Sequence, residues 1–207
     1  REHELVPCQP RPFRTTTESG DDAGVPDLLQ RDFTADRPGM KFVGDITYIH
    51  TWQGFVYLAT VIDCFSRKVV GWSIADHMRT DLVVDALQMT LWRRNPDAGT
   101  IMHSDRGSQY TSWVFGHRLR SAGLLGSMGR VASSVDNTMM ESFWSSMQIE
   151  LLDRRKWKAR IELANAIFEY IEVFYNRQRP HSSLGYRTPA QAWADAHNPA
   201  AEDLTEA

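Results

Sequence analysis

The chain has 207 residues, 42% of them hydrophobic and 24% charged, enough for one substantial core of ordinary globular composition. No apolar run approaches the ~18–20 residues that span a bilayer, and the N-terminus carries no signal-peptide pattern, which argues against a membrane protein. A net charge of −3 argues against a protein that coats nucleic acid, and only two cysteines, Cys8 and Cys64, leave no disulfide scaffold or zinc finger and fit a reducing cytoplasm.

Residues 1–36 are rich in Pro, Thr, Asp and Gly and read as an irregular leader. Lys41–His50 reads as a strand, Trp52-Gln53-Gly54 as a turn, and Phe55–Asp63 as a second, buried strand. The Ser66-Arg67-Lys68 turn leads into a third strand, Val69–Ile74, interrupted by Gly71. Short turns between these strands predict an antiparallel meander. Thr80 can cap a helix whose apolar positions, Leu82, Val83, Ala86, Leu87 and Leu91, recur at helical spacing, and Asn95-Pro96-Asp97 ends it. Thr100–His103 is a short strand, Ser112–Ser121 a helix ended at Gly123, and Leu124–Met128 a further strand. Gly129–Asp136 is a polar loop. Helices are expected over Thr138–Asp153 and Lys158–Arg177, and a short one near Pro189–His197. This order predicts an α/β protein with a central mixed sheet of five strands flanked by helices, in which the first and fourth strands lie side by side.

Three carboxylates stand out. Asp45 interrupts an apolar strand, where an ionised carboxylate needs a partner or a metal; the competing reading is an Asp satisfied by backbone amides. Asp105 opens a Ser-Asp-Arg-Gly-Ser turn at the end of the fourth strand, where ligands of open α/β sheets gather, although Asp also suits turns for conformational reasons. Glu141 falls in the first turn of a helix, which the helix dipole also favours. It shares a helix face with Ser145 and Gln148, whereas Met140, Phe143, Met147 and Leu151 form the apolar stripe. Of the other acids, Asp63 is expected to cap the Ser66-Arg67 turn and Asp136 the helix at Thr138. The seven tryptophans are assigned mostly to core or interface. Basic clusters at Arg154, Arg155, Lys156, Lys158 and Arg160, and at Arg177, Arg179 and Arg187, fit either DNA contacts or solvated helix faces.

The runs FVGDITYIHT, YLATVIDCFSRKVVGW, HSDRGSQYTS, DNTMMESFWSSMQIELL and FEYIEVFYNRQRPHSSLGYRTPAQ resemble the integrase-like core of bacterial insertion-sequence transposases of the long-frame type. The resemblance spans about Gly39 to Trp193, and the 35 residues between Asp105 and Glu141 equal the family's interval. It implies an RNase H-like fold with Asp45, Asp105 and Glu141 as a catalytic triad binding two Mg²⁺ or Mn²⁺ ions. It implies strand cleavage and strand transfer on DNA, at element ends and target, by a homo-oligomer working on the bacterial nucleoid in the cytoplasm. On this reading residues 37–178 are the catalytic core and 179–207 a C-terminal tail that contacts DNA or a partner. Arg106, Gln109, Ser145, Gln148, Arg155 and Lys156 are the candidate DNA contacts, and His103 a supporting group behind Asp105. Many relatives carry Lys seven residues after the triad Glu; Gln148 stands there, so a charged phosphate contact is not expected at that position. The leader lacks the helix-turn-helix that reads element ends, so end recognition is expected outside this chain. Two alternatives share part of the pattern. One is an inactive or domesticated core that only binds DNA or a partner, and the intact triad speaks against it. The other is a nuclease for RNA–DNA hybrids, which has no need of the tail motif.

Overall fold

The structure, a computed structural model, describes residues 24–129 and 138–197. Its centre is a five-stranded sheet of order β3-β2-β1-β4-β5. Strands β1 (Lys41–Thr51), β2 (Gly54–Asp63) and β3 (Val69–Ala75) form the expected antiparallel meander, with a register shift at Val61/Ile62. Strands β4 (Ile101–Ser104) and β5 (Leu125–Met128) add in parallel on the other side of β1.

Alternation along β1 separates two cores, as the pleat requires. Phe42 and Ile46 point to the face covered by α1 (Thr80–Arg94) and α2 (Trp113–Ser121), with Val61, Leu87 and Phe115. Val43 and Ile49 point to the opposite face, covered by α3 (Thr138–Glu150) and α4 (Arg160–Glu169), with Met140, Phe143, Met147 and Ile167. The apolar stripe predicted for α3 is the buried one. Gly71 has a packing reason: a Cβ there would sit 2.1 Å from Thr90 Oγ1 and 2.3 Å from the Ala86 carbonyl, so only glycine lets α1 lie this close to β3.

Several boundaries differ from expectation. Thr80 is the first residue of α1 rather than its cap; Arg79 holds that position with no side-chain bond, and Asp81 Oδ1 and the Arg79 carbonyl take the Leu82 N–H. Asn95, in the left-handed region at φ 42°, ends the helix by returning its N–H to Leu91. Helix α3 stops at Glu150 and passes into a 3₁₀ turn over Leu152–Arg154. The helix expected over Lys158–Arg177 starts at Arg160 and widens into a π segment over Tyr170–Tyr175. Just beyond it Asn176 pairs with both backbone groups of Val69, at 3.0 Å each, and so seals the start of edge strand β3.

Residues 24–36 form neither helix nor strand, yet Leu29 and Phe33 enter the core and the Pro26 carbonyl accepts the Met128 N–H at the β5 edge. At the other end, α5 (Pro189–His197) packs Ala192 and Trp193 against the molecule. Cys64 is a free, buried thiol whose pKa is pushed up to about 12, chiefly by burial. Cys8 and Asp136, and most of the predicted 129–136 loop, lie outside the described residues. Among those residues no helix is long and apolar enough to cross a membrane.

Candidate active site

Parallel pairing of β1 with β4 sets the site. Gly44 lies opposite Ser104, so Asp45 and Asp105 are the next residues on two neighbouring strands, whose spacing is about 4.8 Å. Strand β4 ends there while β1 continues, paired on one side only to β2. Both acids therefore stand at the carboxyl end of β4, the usual ligand position in open α/β sheets.

Asp45 points to the α3 face. Its Oδ1 accepts the Ile46 N–H at 2.8 Å, and its Oδ2 accepts the Trp144 indole N–H at 2.9 Å. Burial raises its pKa to about 7; the Trp144 bond opposes that rise, and the charges of Asp105 and Glu141 add to it. Asp105 caps its own turn by accepting the Gly107 N–H at 3.0 Å, and its pKa is also raised by withdrawal from water. Tyr110 is buried on the opposite face of β1, its hydroxyl 3.4 Å from where a Gly44 Cβ would be. Burial first, and then Asp45 and Asp105, drive the phenol's pKa upward, so it stays neutral. Across the strand from Asp45, the buried Thr60 Oγ1 has no hydrogen-bond partner among the described residues.

Glu141 is exposed in the first turn of α3 and makes no hydrogen bond or ion pair among the described residues. Trp144 lies one helical turn on, so the indole–Asp45 bond is also what ties the Glu141 turn to β1. No three His, Cys, Asp or Glu side chains among the described residues stand close enough together to hold a metal ion. Asp45 and Asp105 are adjacent, and Glu141 acts on Asp45 through charge rather than from within a closed ligand shell. The hard oxygens of these acids suit Mg²⁺ or Mn²⁺, and the buried Thr60 hydroxyl opposite Asp45 is a polar group left unpaired among the described residues.

The other predicted residues divide. His103 is buried in β4 opposite Ser127, with Nδ1 2.8 Å from its hydroxyl, and its ring meets Phe33 edge-on. A proton on its ring would favour ionisation of Asp105, against the larger effect of burial. Arg106 donates to the Gly129 carbonyl at 2.8 Å, and Gln109 to the Met78 carbonyl at 2.8 Å. Both hold the turn around Asp105. Ser145 and Gln148 are exposed on the Glu141 stripe, with Gln148 bonded to Asp153. Arg155, stacked over Trp157 and 3.5 Å from Glu162, and exposed Lys156 lie beyond the far end of α3, away from the acids. Trp144 is the contact of Asp45 that the residues alone assign to core, whereas Tyr110, open in the sequence to either DNA contact or packing, is buried. The ESFW run holds the only available signal, an indole one turn after the acid.

Profiles of the integrase core domain match residues 35–134 and 123–189. The transposase for insertion sequence element IS904 of Lactococcus lactis is 40% identical over 177 residues, covering 86% of this chain and 70% of its own. The chain belongs to the insertion-sequence transposases with an integrase core. The IS629 transposase of Shigella sonnei is 42% identical over 86% of this chain and 59% of its own length, and transposase InsF of Escherichia coli is 43% identical over 79% and 57%. The chain thus spans somewhat under two thirds of these two relatives. Among solved structures, the simian T-cell lymphotropic virus intasome in complex with PP2A B56 gamma superposes with a TM-score of 0.63 at 16% identity, over 76% of this chain and 55% of the matched one. The HTLV-2 integrase catalytic core in complex with magnesium gives 0.57 at 18%, over 76% and 98%. These likenesses fix the fold as RNase H-like.

Proposed function

We propose that this chain cleaves and joins DNA strands during transposition, with Asp45, Asp105 and Glu141 as the catalytic acids. The observation that carries this is the pair Asp45–Asp105 at two parallel strand positions, facing Glu141, with no cation in ion-pair contact with any of the three among the described residues. Acids gathered against their own repulsion suit a site completed by divalent metal. Asp45 and Asp105 would hold Mg²⁺ or Mn²⁺, two ions by analogy with the family, and Glu141 would join as α3 settles. When bound, such ions polarise the scissile phosphate and make water or a DNA 3′-hydroxyl a competent nucleophile. The Asp45 carboxyl, whose pKa is raised to about 7 without metal, would be held in its ionised form by a bound cation. Trp144 fixes its rotamer through the indole N–H. No side chain is required to bond covalently to DNA.

DNA ends and target DNA are the proposed partners, on the bacterial nucleoid, in a homo-oligomer like the dimeric and trimeric forms of the HTLV-2 core. The 37–178 segment would be the catalytic unit. The test is nicking and strand transfer on labelled element-end DNA with Mn²⁺. Asp105→Asn should lose all activity at unchanged fold, and an active Asp105→Asn protein would overturn the assignment. A parent that binds DNA but never cuts it would favour the binding-only alternative.

A further inference from the structure

On the helix stripe beside the one carrying Glu141, a cleft of about 410 Å³ opens between the first turns of α3, the Ser66–Lys68 turn and the segment after Arg179. Its polar lining includes Arg67, Arg179, His181, Ser142, Ser146 and Ser183, and among the described residues no carboxylate lines it. The charge on Arg179 is answered from outside the lining, where its Nε donates to both Glu150 oxygens at 2.8 and 2.9 Å; within the lining its Nη2 donates to Ser146 at 3.2 Å. His181 is kept neutral, its pKa lowered to about 4 by burial and then by Arg179. Arg67 is different. It sits at φ 61°, a conformation L-residues adopt reluctantly, pinned by its N–H to the Asp63 carbonyl at 2.9 Å. Its guanidinium has no ion pair or hydrogen bond among the described residues. The exposed Ser142 and Ser183 hydroxyls are likewise unengaged there.

Among the described residues, a guanidinium without a pair, unengaged hydroxyls and a lining without acids match a phosphate, which takes several donors at once. The volume leaves room for an adjoining nucleotide. We propose that this cleft is a phosphate subsite, seating one phosphodiester of the DNA strand whose scissile bond lies at the three acids. Ser142 follows Glu141 directly, about 100° around the helix, so a strand crossing the Glu141–Ser145–Gln148 face can drop a neighbouring phosphate into it. This rests on the reading that the chain acts on DNA.

The experiment is fluorescence anisotropy of the 207-residue chain on a labelled random-sequence duplex, in EDTA, across a salt series. Arg67→Asn removes the charge but keeps a residue that tolerates this backbone. It should weaken binding uniformly across sequences and reduce the slope of log K against log salt by about 1, and Arg67→Lys should restore the slope. Should Arg67→Asn fail to fold by thermal melting, Ser183→Asp places a negative charge at the exposed mouth and should weaken binding likewise. Equal slopes for parent and Arg67→Asn, or a slope still reduced in Arg67→Lys, overturn the subsite. If the parent still nicks DNA with Mn²⁺, the DNA reading survives that failure; a parent that neither binds nor nicks DNA ends both. Inorganic phosphate provides the last arm. Arg67-dependent phosphate binding with no change in the DNA slope would mark a free-phosphate site and overturn the DNA assignment.

Discussion

Asp45 and Asp63 sit on paired strands of one sheet, and both have their pKa raised by burial, yet their surroundings treat them in opposite ways. Asp63 is wholly answered: Gly39 N–H donates to one oxygen at 2.8 Å, and Ser66 N–H and hydroxyl donate to the other at 2.8 and 2.7 Å. Asp45 receives one bond per oxygen and then faces two more acids. A carboxylate surrounded by donors holds a turn. One left facing its own kind is held in readiness for a cation, at a cost the fold bears.

Removing each acid in turn separates the two roles. Asp45→Asn should abolish strand cleavage, a loss of more than about a thousandfold, because it removes a hard ligand and one charge. In metal-free protein the same change should stabilise the fold above pH 7. Native Asp45 titrates near 7 and the unfolded group near 3.8, so the native state binds the extra proton in between and stability falls as pH rises through that window. Thermal melts at pH 5 and 8 in EDTA check the sign. Asp63→Asn should do the reverse: its amide would point a donor at donors already present, costing about 2–4 kcal/mol in urea denaturation. A destabilised Asp45→Asn at pH 8 would collapse the contrast.

The next test concerns the bond between Asp45 and α3. Trp144→Phe keeps the ring against Phe143, 4.8 Å away, but deletes the N–H that Asp45 accepts. Groups that orient a metal ligand typically contribute 10–100-fold to affinity, and Mn²⁺ binding followed by electron paramagnetic resonance should weaken by that order. Unchanged Mn²⁺ affinity would reduce the indole to packing. Melting temperature should fall by about 2–4 °C, because a buried carboxylate oxygen loses its donor.

These contrasts were unevenly legible in the chain. The meander, the β1–β4 adjacency and the apolar stripe of α3 follow from period-2 and period-3.6 patterns, which burial enforces. The role of Asp63 at the Ser66-Arg67 turn is equally local, three residues from donor to acceptor. Trp144 is not, because its partner lies 99 residues away and becomes visible only once α3 is docked on the sheet. The π segment at Tyr170–Tyr175 escapes for the same reason: Asn176 reaching Val69 is a tertiary demand, and the sequence there has ordinary helical spacing. Arg106 and Gln109 look like free polar groups in sequence, whereas backbone carbonyls at Gly129 and Met78 claim them. The resemblance names the three acids, but no spacing rule foretells that Glu141 stands short of a closed ligand shell.

The smallest effect belongs to His181 and runs against that of Asp45. Facing it are Arg179, with Nη1 3.3 Å from Nε2, the Tyr175 ring edge-on at 5.0 Å, Glu150 and, more distantly, Arg67. Burial and these cations hold its pKa near 4, against about 6.5 in the unfolded chain. The unfolded state therefore binds the extra proton between those values, so the contribution of this histidine is complete above pH 6.5 and is lost as pH falls toward 4. Half-exposed as it is, His181 should contribute on the order of 1 kcal/mol. His181→Gln should flatten the acid side of the stability profile by that amount, and Asp45→Asn should steepen it, because the opposing slope has gone. Urea titrations at pH 4.5 and 7 on the two variants read both signs at once. If the two substitutions tilt the profile the same way, one of these groups has been given the wrong neighbours.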